Sequence, residues 1–188
     1  MPWVIIIIGY LMGSIPTAYI AGRLLRGEDI RRIGDENSGA ANAFRELGGK
    51  VGITVGIIDA AKGFLAVFIA QASGVSQGFV LITGAAAVIG HNWPLFLGFR
   101  GGRGESTAIG VLVAVITQPM LILAGPTLIA LYFWRNVTKA SCVLFIPLPL
   151  VCWWLGVPGV LVAYGVALPC LVGFTHILRM RQKVARAA

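Results

Sequence analysis

Residues 98–107 read Gly-Phe-Arg-Gly-Gly-Arg-Gly-Glu-Ser-Thr, four glycines and two arginines set between long apolar runs. The chemistry this suits is oxyanion binding. Without Cβ atoms, Gly101, Gly102 and Gly104 let backbone N–H groups converge on a phosphate, and Arg100 and Arg103 add forked, charge-assisted hydrogen bonds. Ser106 or Thr107 is placed to cap a helix beginning near Ala108, whose N-terminal dipole would face the same anion. From residue types alone the loop reads equally well as a plain basic loop, because arginine and lysine collect on the cytoplasmic side of membrane proteins.

The elements that must position this loop are membrane helices. Of 188 residues, 57% are hydrophobic and only 12% charged, unlike an average globular domain or a disordered chain. Several runs approach or exceed the roughly 18 apolar residues that mark a spanning helix. One polytopic membrane domain covering residues 1–188 is expected. A net charge of +8 would suit nucleic acid, but spans interrupt the basic residues and no continuous stripe forms. Anionic lipid and phosphate compounds are the expected partners. Cys142, Cys152 and Cys170 lie in apolar runs without paired spacing or a histidine cluster, so they read as buried free thiols and no metal is expected. Met1-Pro2-Trp3 lacks the basic flank of a cleavable signal, and the first apolar run reads as a retained span.

That first run, Trp3 to about Ala21, contains Gly13-Ser14-Ile15-Pro16-Thr17, where proline should bend the helix and free carbonyls for other partners. The bend lines a cavity or is an ordinary kink. Arg23 to Lys50 is the most charged segment and must lie outside the hydrocarbon; within it, residues 40–47 followed by Gly48-Gly49 predict a short interfacial helix. A span from about Val51 to Ala70 carries Asp59 and Lys62 on one helical face. At membrane depth such a pair is a functional suspect, or it neutralises itself and is structural. Phe79 to Leu97 is apolar. Ala108 to Trp134 is too long for one upright span and breaks at Gln118-Pro119, with Gly125-Pro126 a second irregularity.

Splitting that stretch also settles the charge alternation. The Arg23–Lys50, Arg100 and Arg135–Lys139 segments and the tail Arg179, Arg181, Lys183 and Arg186 are basic, whereas the connections at Ser73, Gln118 and Pro158 carry no charge. About seven transmembrane or partly spanning helices, with the N-terminus outside and the C-terminus cytoplasmic, put every basic segment on one side. The fold expected is therefore all-α, with its polar residues gathered on the cytoplasmic face.

Several enzyme classes are excluded. The loop lacks the Gly-Lys-Ser/Thr of a Walker motif, the chain has no Gly-x-Ser-x-Gly elbow suited to a hydrolase, and neither His91 nor His176 has an acidic residue four or five positions on. What the chain does resemble is the family of bacterial membrane acyltransferases of the PlsY type. The resemblance is carried by residues 90–104, Gly-His-Asn-Trp-Pro-Leu-Phe-Leu-Gly-Phe-Arg-Gly-Gly-Arg-Gly, where the family usually has lysine at the places of Arg100 and Arg103. It extends to Gly13-Ser14-Ile15-Pro16, Asn37, Gly39-Ala40, Asn42, Arg45, Asp59 with Lys62-Gly63, Ala140-Ser141 and His176, in the family's order along the whole chain.

The resemblance implies transfer of an acyl chain from acyl phosphate to glycerol 3-phosphate, giving lysophosphatidic acid, by a multi-pass protein of the bacterial plasma membrane with no cofactor. Acyl phosphate is already activated, so alignment and charge stabilisation suffice and no protein nucleophile is needed. It implies that the glycine loop holds phosphate and that Arg45 and Ser141 help bind the glycerol phosphate. The candidate catalytic residues are His176, Arg45, Asp35 and Ser141; the candidate substrate-binding residues are Asn37, Arg100, Gly101, Gly102, Arg103, Gly104, Thr107 and Arg179. The chain departs from the family pattern at Asp35-Glu36 (usually Ser-Gly), Ala41 (threonine), Glu105 (apolar) and Arg179 (asparagine). A carboxylate at Asp35 would repel a substrate phosphate unless an arginine pairs with it. Three readings stay open on these departures: a working acyltransferase, a paralogue with another acceptor or donor, and a protein that only binds anion or lipid. A small anion transporter is the reading from a different class. Oligomeric state is not set by the sequence.

Overall fold

The computed structural model describes residues 1–187, with side-chain surroundings for residues 1–181, so Lys183 and Arg186 of the basic tail lie outside the described side chains. Proline shapes the first span. α1 (Pro2–Ser14) stops at Ile15, whose extended ψ of 116° is what the ring of a following proline imposes, and α2 (Thr17–Arg26) restarts the helix until Gly27 in the left-handed region. A short α3 (Ala40–Glu46) leads to α4 (Gly49–Ala72) and α5 (Gln77–Asn92).

The long apolar stretch is divided, but at Ile116 rather than at Gln118. α6 (Glu105–Val115) ends there, at φ −132° and ψ 59°, and α7 (Thr117–Trp134) begins at once. Pro119 falls in the first turn of α7, where its missing N–H is no loss, and the helix continues unbroken through Pro126. α8 (Val137–Phe145) and α9 (Leu148–Trp154) together make one span, and α10 (Gly159–Ala187) is the last. Among the described residues six segments are long and apolar enough to cross a membrane; α6, with 11 residues, is the short seventh. At about 1.5 Å per residue it reaches only halfway through a hydrocarbon layer of about 30 Å.

Small residues let these helices touch. A Cβ on Gly110 of α6 would overlap the Ala60 carbonyl of α4, and one on Gly63 of α4 would overlap the Thr107 carbonyl of α6. Around α6 the main core forms from Val67, Val88, Val111, Leu112, Leu148 and Cys152, whereas Ile57, Phe68, Leu128, Tyr132 and Trp153 face outward as lipid-facing side chains should. Cys152 is buried as expected, but Cys142 and Cys170 are exposed on the outer surface. Each sits on the outward face of a helix that has only one packed side.

Candidate functional site

The segment between α2 and α3 folds around one side chain. Asn42 is fully enclosed, and its amide donates to the carbonyls of Ile30 and Ile33 (3.1 Å each) while its oxygen accepts from Asp35 N–H. Every polar atom of that carboxamide is thereby satisfied, which fixes Asp35 at the end of the turn. Arg31 adds a second constraint. It donates to both oxygens of Asp29 and, through Nη1, to the Leu97 carbonyl (3.0 Å), tying this segment to the start of the glycine loop. The same hydrogen bonds hold the Asp29 carboxyl below its ordinary value.

Asp35 then sits between two arginines. Its Oδ2 accepts from Arg45 Nη2 at 2.7 Å and lies 3.5 Å from Arg103 Nη2, while its Oδ1 accepts from Asn37 N–H. Thus the carboxylate that departs from the family pattern is balanced by two guanidinium groups.

The glycine loop is built differently from the expected open cradle. Gly101 and Gly102 donate their N–H groups to the carbonyls of Asn92 and His91, and Phe99 N–H returns to the Pro94 carbonyl. The loop must serve the orphaned carbonyls at the end of α5 before it serves any anion. Arg100 is exposed, as is its neighbour Phe99. Neither Ser106 nor Thr107 caps a helix at Ala108: α6 begins at Glu105, on a Gly104 with φ +83° that only glycine adopts easily. Its first backbone bond is Ala108 N–H to the Gly104 carbonyl, so the N–H groups of Glu105, Ser106 and Thr107 precede the helix's own ladder.

Helices α8 and α10 complete the cluster. Ser141 donates to Glu105, Thr175 donates to the Arg103 carbonyl at 3.0 Å, and Arg179 Nη2 donates to the Asn92 carbonyl at 2.8 Å. His176, next to Thr175, lies within electrostatic reach of Arg103 and Asp35. Segments far apart in sequence are therefore brought to one end of the bundle: Asp35, Asn37, Arg45, Arg103, Gly104, Thr107, Ser141, His176 and Arg179. The arrangement joins a helix N-terminus to several arginines, which suits a phosphate, with a serine hydroxyl and an imidazole beside it.

Beneath it lies a buried group that the sequence pointed to only in part. Asp59 and Lys62 pair at 2.8 Å, both nearly excluded from solvent, but they do not merely neutralise each other. Thr17 donates to Asp59 at 3.0 Å, His91 Nδ1 lies 3.6 Å from the same oxygen, and Lys62 donates to the Ile15 carbonyl at the proline break at 2.9 Å. The freed carbonyl has found a charged partner, and a small cavity between Ser14, Lys62, His91 and Gly101 adjoins it. His91 had no local acidic partner to mark it; the contact crosses from α5 to α4.

Known proteins resemble the chain over nearly its whole length. A family model described as glycerol-3-phosphate acyltransferase matches residues 3–188. Glycerol-3-phosphate acyltransferase 4 of Dehalococcoides mccartyi is 50% identical over 182 residues, covering 97% of this chain and 98% of the relative. A glycerol-3-phosphate acyltransferase of Chlorobaculum tepidum is 44% identical over 158 residues, covering 78% and 68%. The crystal structure of PlsY, an integral membrane glycerol 3-phosphate acyltransferase, in its glycerol 3-phosphate form superposes with a TM-score of 0.85 at 32% identity, over 98% of this chain and 92% of the other. Its lysophosphatidic acid form gives 0.82 at 31% identity.

Proposed function

The chain belongs to the glycerol-3-phosphate acyltransferase family, and from that premise we propose that it transfers an acyl group from acyl phosphate to a hydroxyl of glycerol 3-phosphate. The observation that carries this is the meeting of Arg45 and Arg103 on the Asp35 carboxylate, Arg103 lying two residues before α6, whose first residue, Glu105, accepts from Ser141. In the reaction the hydroxyl oxygen bonds to the acyl carbonyl carbon and the carbon–oxygen bond to phosphate breaks. The hydroxyl proton leaves with the phosphate. Arg45 and Ser141 hold the glycerol phosphate, Arg103 and the N-terminus of α6 stabilise charge on the phosphate that departs, and His176 and Asp35 shape the pocket around them. The charge asymmetry between the basic and the uncharged connections supports a cytoplasmic position for this face, in a single polytopic domain of the bacterial plasma membrane.

The test is transfer by the purified protein in lipid, with acyl phosphate or acyl-CoA as donor and glycerol 3-phosphate as acceptor. Lysophosphatidic acid and inorganic phosphate should form from acyl phosphate. Use of acyl-CoA alone overturns the donor, and no product from either donor overturns the reaction.

Asp35 gives a sharper expectation. Its carboxylate competes with a substrate phosphate for Arg45 and Arg103, and such a partly exposed pair is worth about 0.2–1 kcal/mol. Asp35→Ser should therefore retain or raise transfer, with KM for glycerol 3-phosphate lower by about 1.4- to 5-fold. Complete loss of transfer in this variant would assign Asp35 a necessary task of its own.

A further inference from the structure

Among the described residues, five buried side-chain polar atoms have no hydrogen-bond partner: Asn37 Oδ1, Asn92 Nδ2 and Oδ1, Arg103 Nε, and Thr107 Oγ1. All belong to the segments that build the site above. Asn92 stands out because its whole carboxamide is orphaned while the residue is 0% exposed. A carboxamide in that condition destabilises a fold, whereas an apolar side chain of the same size would not. Its direction is also defined: a Cβ on Gly104, the residue on which α6 starts, would overlap Asn92 Oδ1. The amide therefore lies against the N-terminus of an 11-residue helix, whose first N–H groups lack ladder partners and whose third residue, Thr107, is likewise 0% exposed and unpaired.

The geometry points to Asn92 as a substrate-binding group: with its unpartnered carboxamide turned so that Nδ2–H faces the start of α6, it donates to a phosphoryl oxygen seated there, together with Thr107 Oγ1–H and Arg103 Nε–H. Amide, hydroxyl, guanidinium and helix N-terminus all supply donors, and an anion with several oxygens accepts from all of them. The identity of the phosphate compound rests on the acyltransferase reading, which offers two sources: the phosphate of the acyl donor and that of glycerol 3-phosphate.

Asn92→Leu separates this role from a structural one, because the two predict opposite pairings of stability and function. The full chain in lipid nanodiscs is compared with the variant by thermal unfolding, with and without inorganic phosphate, and by KM for each substrate with the other saturating. The expected result is an unchanged or raised Tm without phosphate, loss of the phosphate-induced rise in Tm, and a KM at least about 10-fold higher for one phosphate substrate. Whichever KM moves identifies the source. Both KM values within about 2-fold of the parent, with the same response to phosphate, overturn the assignment, as does a fall in Tm with no change in KM. If leucine does not fit beside Gly104, Asn92→Ala removes the same group with less bulk and is read in the same way. Should the parent protein transfer no acyl group, the proposed reaction fails, and the response of Tm to phosphate still decides Asn92.

Discussion

Asp59→Leu should lower stability by about 3–5 kcal/mol, the usual cost of leaving one member of a buried ion pair alone. Removing the carboxylate strands the Lys62 ammonium, 5% exposed, with the Ile15 carbonyl as its hydrogen-bond acceptor. It also releases Thr17 at the head of α2 and His91 on α5, which share the same carboxylate oxygen. The double variant Asp59→Leu/Lys62→Leu removes both charges, and a buried pair replaced by apolar residues is often nearly neutral. It should therefore recover part of the loss but not all, since the Thr17 hydroxyl and His91 lose the carboxylate and the Ile15 carbonyl keeps only the Thr17 N–H at 3.1 Å. Thermal unfolding in one detergent measures the parent, the single variants Asp59→Leu and Lys62→Leu, and the double variant. If the double variant is as unstable as the sum of the two single ones, charge neutralisation is not what the pair supplies, and the explanation fails.

The spans and their division were legible because they follow from local properties. Apolar run length marked the helices, and the alternation of basic and uncharged connections called for the stretch from Ala108 to Trp134 to be divided, and a helix break does fall within it, at Ile116. The freeing of a carbonyl by Pro16 was also local. Its partner was not: which charged group reaches Ile15 depends on how α4 lies against the break, and helical periodicity says which residues share a face, not which helix that face meets. The same limit hid His91, whose acidic neighbour is 32 positions away, the difference between 91 and 59. The open cradle expected at Gly101 and Gly102 misjudged a local matter. A chain leaving α5 must first satisfy that helix's last carbonyls, and these two glycines are the residues that do it. What remains to face an anion is the start of α6 and Arg103, together with the exposed Arg100.

That arrangement makes Gly102→Ala the substitution with the largest expected effect on transfer. Gly102 is not among the positive-φ residues, so alanine suits its backbone; the obstacle is steric. A Cβ there would overlap Nε2 of the His91 ring. The ring cannot easily turn aside, because His91 is only 7% exposed and its Nδ1 faces Asp59. Nor can the backbone slip along α5 without breaking the bond from Gly102 N–H to the His91 carbonyl at 3.1 Å. The strain must pass to Arg103, the next residue, whose carbonyl accepts from Thr175 and whose guanidinium approaches Asp35. A displacement of about 1 Å at a positioning group costs about 100-fold in rate, and that is the loss of acyl transfer expected here. Stability should fall by only about 1–3 kcal/mol, the range for one overpacked methyl group. Gly78→Ala is the control, since a Cβ at Gly78 meets nothing within 4 Å, and it should transfer at the parent rate. Transfer by Gly102→Ala within about 3-fold of the parent, below the loss expected from misplacement, would show that the loop yields without moving Arg103.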